Sequence, residues 1–284
     1  MVSLSVTIKA IDESNLEDEA LLCVPSRESP QYSKFEKGVK DKAEWLRQKM
    51  KEYGYLGHIA YDSDGKPLGF IEFIPSKGAP LPVEEAEATA LITCIYLPKA
   101  PHGQGIGTNL LKATLRQLWK IGVCQVKTLV SRSPHWINDG IYRKHGFQTE
   151  KTFYKVGNPE PLDLLTLRLD GPQPRIETVT QHLRPKLRNA LPVEVLYFHS
   201  AQCPFNSAVH INHVNAVAKF SKELVTLKTI DSWKEPETAK RYGSMYSDTF
   251  INGKSPFFAP PKQEDIENEI QKEINRVSQL KQRS

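Results

Sequence analysis

Alternating apolar residues open the chain: Val2, Leu4, Val6, Ile8 and Ala10 predict a first strand. Asp12 and Ser14 are placed to cap the following helix, LEDEALLCV, which stops before Pro25. Across 34–53, Phe35, Val39, Leu46 and Met50 share one helical face, and Gly54 and Gly57 end that helix. Strands are predicted at 58–62 and 68–74, with Ser63-Asp64-Gly65-Lys66 as the hairpin turn between them. Residues 76–88 read as loop and carry the acidic cluster Glu84, Glu85 and Glu87. A β-branched run over 91–97 then meets a turn built from Pro98, Pro101, Gly103, Gly105 and Gly107. Leu110, Leu111, Leu115 and Leu118 follow at helical spacing. A strand at 125–131, a short helix at 136–145 ended by Gly146, and strands at 147–155 and 164–169 complete the first part of the chain.

Asp170-Gly171-Pro172-Gln173-Pro174 is a turn cluster, and the polar, basic segment to 190 reads as a linker with a short helix. A second unit starts at 191. Strands are expected at 193–198 and 224–230, and helices at 205–220 and 234–242. A hairpin is expected over 249–258 around Asn252-Gly253. A terminal helix at 262–280 carries Ile266, Ile270 and Ile274 on one stripe. The expected division is therefore 1–170, a linker at 171–190, and 191–284.

Composition narrows the class. The chain has 284 residues, 39% hydrophobic and 25% charged, which suits a globular protein of two domains. A net charge of +5 favours an anionic cofactor. The charge is spread without a Lys/Arg run or a basic-aromatic signature, so no nucleic-acid partner is expected. No apolar run reaches membrane-spanning length, so no membrane partner is expected. The four cysteines, Cys23, Cys94, Cys124 and Cys203, form no CxxC pair, which suits a reduced, cytoplasmic setting.

The Gly-rich turn between strand and helix has a physical use. Its glycines let backbone N–H groups approach a phosphate, and the helix N-terminus supplies unpaired donors and partial positive charge. Neither G-x-x-x-x-G-K-[ST] nor G-x-G-x-x-G is present, so the common nucleotide loops do not apply. The segment His102-Gly103-Gln104-Gly105-Ile106-Gly107 resembles the pyrophosphate loop of the GCN5-related N-acetyltransferases (GNAT), with His102 where Arg or Gln is usual. Tyr142-Arg143-Lys144-His145-Gly146-Phe147 resembles a second motif of that family, Tyr-x-x-x-Gly-Phe; His135 replaces an Asn often found seven positions before the Tyr.

The resemblance spans roughly residues 3–170 and implies an α/β (α+β) fold, a GNAT-type mixed sheet of six or seven strands with four flanking helices. It implies acetyl-coenzyme A as cosubstrate. The diphosphate would lie on the amides of His102, Gly103, Gln104, Gly105, Ile106, Gly107 and Thr108. Pantetheine would pair with the backbone of Ile95 and Leu97. Tyr142 would protonate the leaving thiolate. The acceptor would be an amine of a small molecule or a protein, acetylated by direct transfer in a ternary complex.

For the general base, Glu72 lies mid-strand among apolar residues, where burial raises a carboxyl pKa toward neutrality. Glu87 and a water are its competitors. Cys94 and His58 lie in the same region, and buried strand cysteines usually serve as small apolar fillers.

In the second unit, Gln202-Cys203-Pro204-Phe205-Asn206 follows a strand and opens a helix, an arrangement that lowers a thiol pKa. Without a second cysteine there is no ordinary dithiol cycle, and Cys203 is read as an acceptor-side or thiol residue. His199, Cys203, His210 and His213 invite a metal reading, and His210 and His213, three apart on one helix, can face one direction, but no C-x-x-C pair supports zinc and no metal is expected. The strand and helix order is similar to a thioredoxin-like domain, and the whole chain resembles the YoaP-type acetyltransferases. Two further readings stay open: a non-catalytic acyl-coenzyme A sensor, and thiol or metal handling by the second unit.

Overall fold

The computed structural model describes residues 5–101, 103–131, 139–158, 160–183, 185–244 and 247–283. The first part runs β1 (Thr7–Ala10), α1 (Leu16–Leu22), α2 (Glu36–Tyr53), β2 (Gly57–Tyr61), β3 (Pro67–Pro75), β4 (Thr89–Tyr96), α3 (Ile106–Lys120), β5 (Gln125–Ser131), α4 (Gly140–Arg143), β6 (Gln148–Lys155), β7 (Leu162–Arg168) and β8 (Val179–Leu183). These strands form one mixed sheet in the order β1-β2-β3-β4-β5-β7-β6-β8. The second part runs β9 (Val193–His199), α5 (Phe205–Val217), β10 (Val225–Asp231), α6 (Pro236–Tyr242), β11 (Asp248–Ile251) and α7 (Gln263–Arg283). Its sheet has the order β10-β9-β11, with β10 parallel and β11 antiparallel to β9.

The large sheet is buried on both faces, which is why β3 reads as a nearly continuous apolar run. Ile106, Leu110, Leu111 and Leu118 of α3 pack on one face with Ile71, Phe73 and Val126. Leu16 of α1 and Trp45 and Leu46 of α2 pack on the other with Ile59, Phe70 and Ile74. Each such fully buried side chain contributes roughly 1.5–3 kcal/mol relative to an exposed one.

Two irregularities in the sheet shape the site. Strand β4 pairs in parallel with β5 only from Thr89↔Gln125 to Ile92↔Thr128. Beyond that point β4 stays with β3 and β5 stays with β7, so the sheet opens between them. At the same level Glu72 pairs with Cys94 and Phe73 with Ile92. Thr93 is thus an extra residue on β4, a bulge that re-aims its neighbours.

The two parts pack tightly. Gly38 of α2 faces the start of α5 so closely that a Cβ there would lie 2.2 Å from Pro204 O. Trp45 meets Trp233 at 5.3 Å between ring centroids, and Phe35 meets Phe205 at 5.2 Å. The buried pair Lys155–Asp248, at 2.8 Å, and the bond from Ser255 N to Val156 O, also 2.8 Å, close the opposite side.

Most elements follow the sequence expectation, and four details differ. Asp12 and Ser14 do not cap α1; the Asp12 carboxylate accepts from Ser14 N at 2.8 Å and closes a local turn instead. The segment expected as a linker with a short helix contributes strand β8, parallel to β6 at the sheet edge. The expected hairpin keeps its turn, with Asn252 at φ 47° and Gly253 at φ 86°, but pairing ends at Ile251↔Lys254. Pro256, Pro260 and Pro261 lack the N–H groups a second strand needs. Within the helix expected at 136–145, residues 139–145 hold only the single turn of α4, and 132–138, including His135, lie outside the described residues.

Candidate active site

The Gly-rich turn ends at Gly105, which is left-handed at φ 71°; Gly103 sits at φ 79°. A Cβ added at either would meet nothing within 4 Å, so conformation and not crowding requires glycine there. Helix α3 begins at Ile106 with no side-chain cap, and its first backbone bond runs from Asn109 N to Gly105 O at 2.9 Å. The amides of Ile106, Gly107 and Thr108 therefore have no acceptor within the helix. They face a cavity of about 470 Å³, whose wall also carries Lys144. Unpaired amides, a helix N-terminus and an ammonium together suit a diphosphate. His102 lies outside the described residues, and Gln104 is exposed.

Leu97 and Ile141 line this cavity and also a second one of about 630 Å³. The two cavities are thus continuous along the open end of β4, with Cys94 and Ile95 on the wall of the second. Beyond Ile92 the β5-facing edge of β4 has no strand partner among the described residues, which leaves main-chain groups for an extended ligand. Tyr142 is fully buried on α4, edge-on to Phe147 at 5.3 Å. Its hydroxyl makes no hydrogen bond of normal geometry among the described residues. Burial raises its pKa well above the ordinary phenol value, and the nearby Thr128 hydroxyl lowers it only in part. It is therefore a protonated donor.

Behind the bulge lies a cluster of charges that the sequence did not disclose. Lys42 Nζ sits 2.9 Å from Glu19 Oε1 and 3.3 Å from Glu72 Oε2, all three side chains essentially without solvent contact. Thr93 Oγ1 donates to Glu72 Oε1 at 2.6 Å, and Gln202 Nε2 of the second unit donates to the same oxygen. Burial pushes the Glu19 pKa well above the carboxylate range, and the Glu72 charge adds to this against the opposing pull of Lys42. Burial works against the Lys42 charge, yet the acidic groups packed around it, Glu19 first, outweigh it and hold the pKa above the usual lysine value. Glu72 is thus a buried and partnered carboxylate, not the isolated one the sequence suggested.

Three thiols line the second cavity: Cys23, Cys94 and Cys203. Burial pushes Cys23 up to about 12 and raises Cys94 and Cys203, so all three are neutral at pH 7. At Cys203 the amides of Phe205 and Asn206 pull the other way, but burial dominates. The histidines of the second unit have structural partners. His213 is bonded to Val209 O and Thr249 Oγ1, both at 2.8 Å, and stacks on Tyr197 at 4.2 Å. Among the described residues no group of three His, Cys, Asp or Glu could hold a metal ion.

His58 is tied to Tyr55 and Thr114, and burial takes its pKa down to about 4. Glu84, Glu85 and Glu87 pair with Lys151, Lys240 and Lys77 at the surface. What the sequence reading missed is Glu19, Lys42, Thr93 and Gln202. Only the position of Gln202 beside Cys203, at the helix start, hinted at a role.

Residues 24–147 match the family model described as acetyltransferase (GNAT) family. Among solved structures the chain is similar to an N-acetyltransferase from Staphylococcus aureus, at 16% identity over 58% of this chain and 98% of that one, TM-score 0.41. It is similar to the PaiA N-acetyltransferase from Thermoplasma acidophilum in complex with coenzyme A, at 18% identity over 58% and 99%, TM-score 0.40. A spermidine N-acetyltransferase chimera from Vibrio cholerae matches at 13% identity over 57% and 95%, TM-score 0.42. No curated protein matches the sequence.

Proposed function

We propose that this chain, which carries an acetyltransferase domain of the GNAT family, is an acetyl-coenzyme A-dependent N-acetyltransferase that acts by direct transfer in a ternary complex. The observation that carries this reading is the pair of adjoining cavities that runs from the first amides of α3 past the open edge of β4, with Ile141 on the wall of both and Tyr142 buried next to it on α4. Acetyl-coenzyme A, when bound, supplies an activated thioester. The amides of Ile106, Gly107 and Thr108, with those of the turn before them, hold its diphosphate. The backbone of Ile95 and Leu97 aligns its pantetheine arm.

The remaining work belongs to the protein's own groups. Tyr142 donates its proton to the departing sulfur as the C–S bond breaks. The amine proton passes to the Thr93 hydroxyl, which hands its own proton to Glu72; Glu72 is thus the base, acting at one remove. Lys42, 3.3 Å from Glu72 Oε2, holds that side chain in place.

We read 191–284 as a thioredoxin-like domain of the YoaP type. The order β10-β9-β11 and the parallel β9-α5-β10 unit support this, although the last strand of such a sheet is missing here. In this reading 1–170 is the acetyltransferase domain, and the linker over 171–190 donates β8 to its sheet. Cys203 then serves the acceptor side as a neutral thiol and not as a redox centre. The free cysteines support a reducing, cytoplasmic setting. No helix among the described residues is long and apolar enough to cross a membrane.

The test is Tyr142→Phe. Turnover should fall about 10²–10⁴-fold, the range for a lost general acid, with acetyl-coenzyme A affinity kept. Unchanged turnover would remove Tyr142 from the mechanism, and binding without turnover in the unmodified protein would favour a sensor.

A further inference from the structure

We propose that the second unit builds the acceptor pocket of the acetyl-transfer reaction, and that the carbonyl oxygen of Gln202 receives an N–H of the acceptor. We further propose that the acceptor is a small primary amine with an apolar body. This rests on the acetyl-transfer reading above and adds its acceptor half.

Gln202 is only 5% exposed and lines the second cavity beside Thr93 and Cys94. Its backbone is fixed by the bond from Gln202 N to Ser200 Oγ at 3.1 Å. Its amide orientation is set by the bond that Nε2 donates to Glu72 Oε1. Oε1 then points the other way, and it is buried with no hydrogen-bond partner among the described residues. A buried carbonyl left unpaired is unfavourable, so a ligand N–H placed there is favoured.

The position suits the chemistry. Glu72 pairs across the strands with Cys94, at the open edge of β4 along which the thioester is to lie. An amine held by Gln202 Oε1 through one N–H, and by Thr93 Oγ1 through another, keeps its lone pair for the carbonyl carbon.

The walls set the substrate class. Phe205, Phe257, Phe258 and Pro260 come from the second unit, and Cys23 and Cys203 add neutral thiols. Asp248 also lines the cavity, but its carboxylate is bound to Lys155 Nζ at 2.8 Å. The remaining charge at the wall is the Lys42 ammonium. Among the described residues nothing there would hold a second cationic group, since Asp248 is paired with Lys155, and Glu19 and Glu72 are paired with Lys42. Polyamines and lysine-rich tails fit poorly, whereas an arylalkyl or alkyl amine matches the aromatic wall.

The experiment uses the full chain with saturating acetyl-coenzyme A and follows thiol release. The probes are 2-phenylethylamine, hexylamine, spermidine and a lysine-rich peptide. The two apolar amines should show kcat/KM at least tenfold above the others. Gln202→Leu should raise KM for 2-phenylethylamine at least tenfold. Should that variant fail to fold, Phe258→Ala carries the test: it should reduce the preference for 2-phenylethylamine over hexylamine at least threefold.

A preference for spermidine or peptide, no turnover of either apolar amine, or a folded Gln202→Leu protein with unchanged KM would overturn the proposal. So would an unchanged preference in Phe258→Ala. Calorimetry with acetyl-coenzyme A separates the two levels. Binding without an apolar-amine preference sinks the pocket assignment alone, and no binding sinks the transfer reading beneath it.

Discussion

Lys42 shows how a residue acquires a role that its sequence neighbours lack. Lys37 and Lys40 lie on the same helix and pair with Asp41 and Glu36 in solvent, where such pairs contribute little. Lys42 has the same chemistry but turns into the core, where removing it takes the shared partner from two buried acidic side chains, Glu19 and Glu72. Lys42→Met should cost about 3–5 kcal/mol, read as a lower urea midpoint. An unchanged midpoint would contradict this. His213 gives a second prediction at this scale. Burial lowers its pKa from 6.5 to about 4. Between those values the unfolded chain binds the proton and the native protein does not, so stability falls as pH drops through that window. The slope should approach about 1.4 kcal/mol per pH unit from this group, and His58 behaves alike. Denaturant titrations at pH 7, 6 and 5 measure it; flat stability would contradict it. The burial of Lys42 was not legible in the sequence, because a helical pattern marks the apolar face and says nothing of a charge whose partners come from α1 and β3.

At the scale of elements, the strand, turn and helix from β4 to α3 were legible, and so was β5. There apolar runs, glycines and leucine spacing all agree with the final structure. Gly105→Ala should test the turn. A side chain at φ 71° is strained by roughly 1–2 kcal/mol, and relief of that strain would move the amides of α3. Acetyl-coenzyme A should bind about tenfold more weakly, measured by calorimetry. Strand β8 was not legible, because four of its five residues are exposed and polar alternation gave no signal. Its place is set by pairing with β6, a long-range contact. The missing second hairpin strand was foreshadowed by Pro256 but overshadowed by the Asn252-Gly253 turn. Its loss has a consequence for the site, since the freed segment supplies Phe257 and Phe258 to the cavity wall. The bulge at Thr93 was invisible because it is a property of pairing between strands.

For the whole molecule, the donor half of the site could be read from two motifs, while the acceptor half required the second unit to be seen against the first. Trp233 and Phe258 pack on the same core as Trp45 and Leu183. This shared core predicts one cooperative unfolding transition, with tryptophan fluorescence and far-ultraviolet dichroism coincident. Two separated transitions would mean independent units. Gly38→Val should weaken the junction, since even a Cβ would meet Pro204 O at 2.2 Å, and it should lower the midpoint of that transition. The central claim is that the cleft beginning at the N-terminus of α3 receives acetyl-coenzyme A. Calorimetric titration of the full chain with acetyl-coenzyme A tests it most directly. One site per chain is predicted, weakened about tenfold in Gly105→Ala; the absence of any binding heat across a range of temperatures would contradict the account.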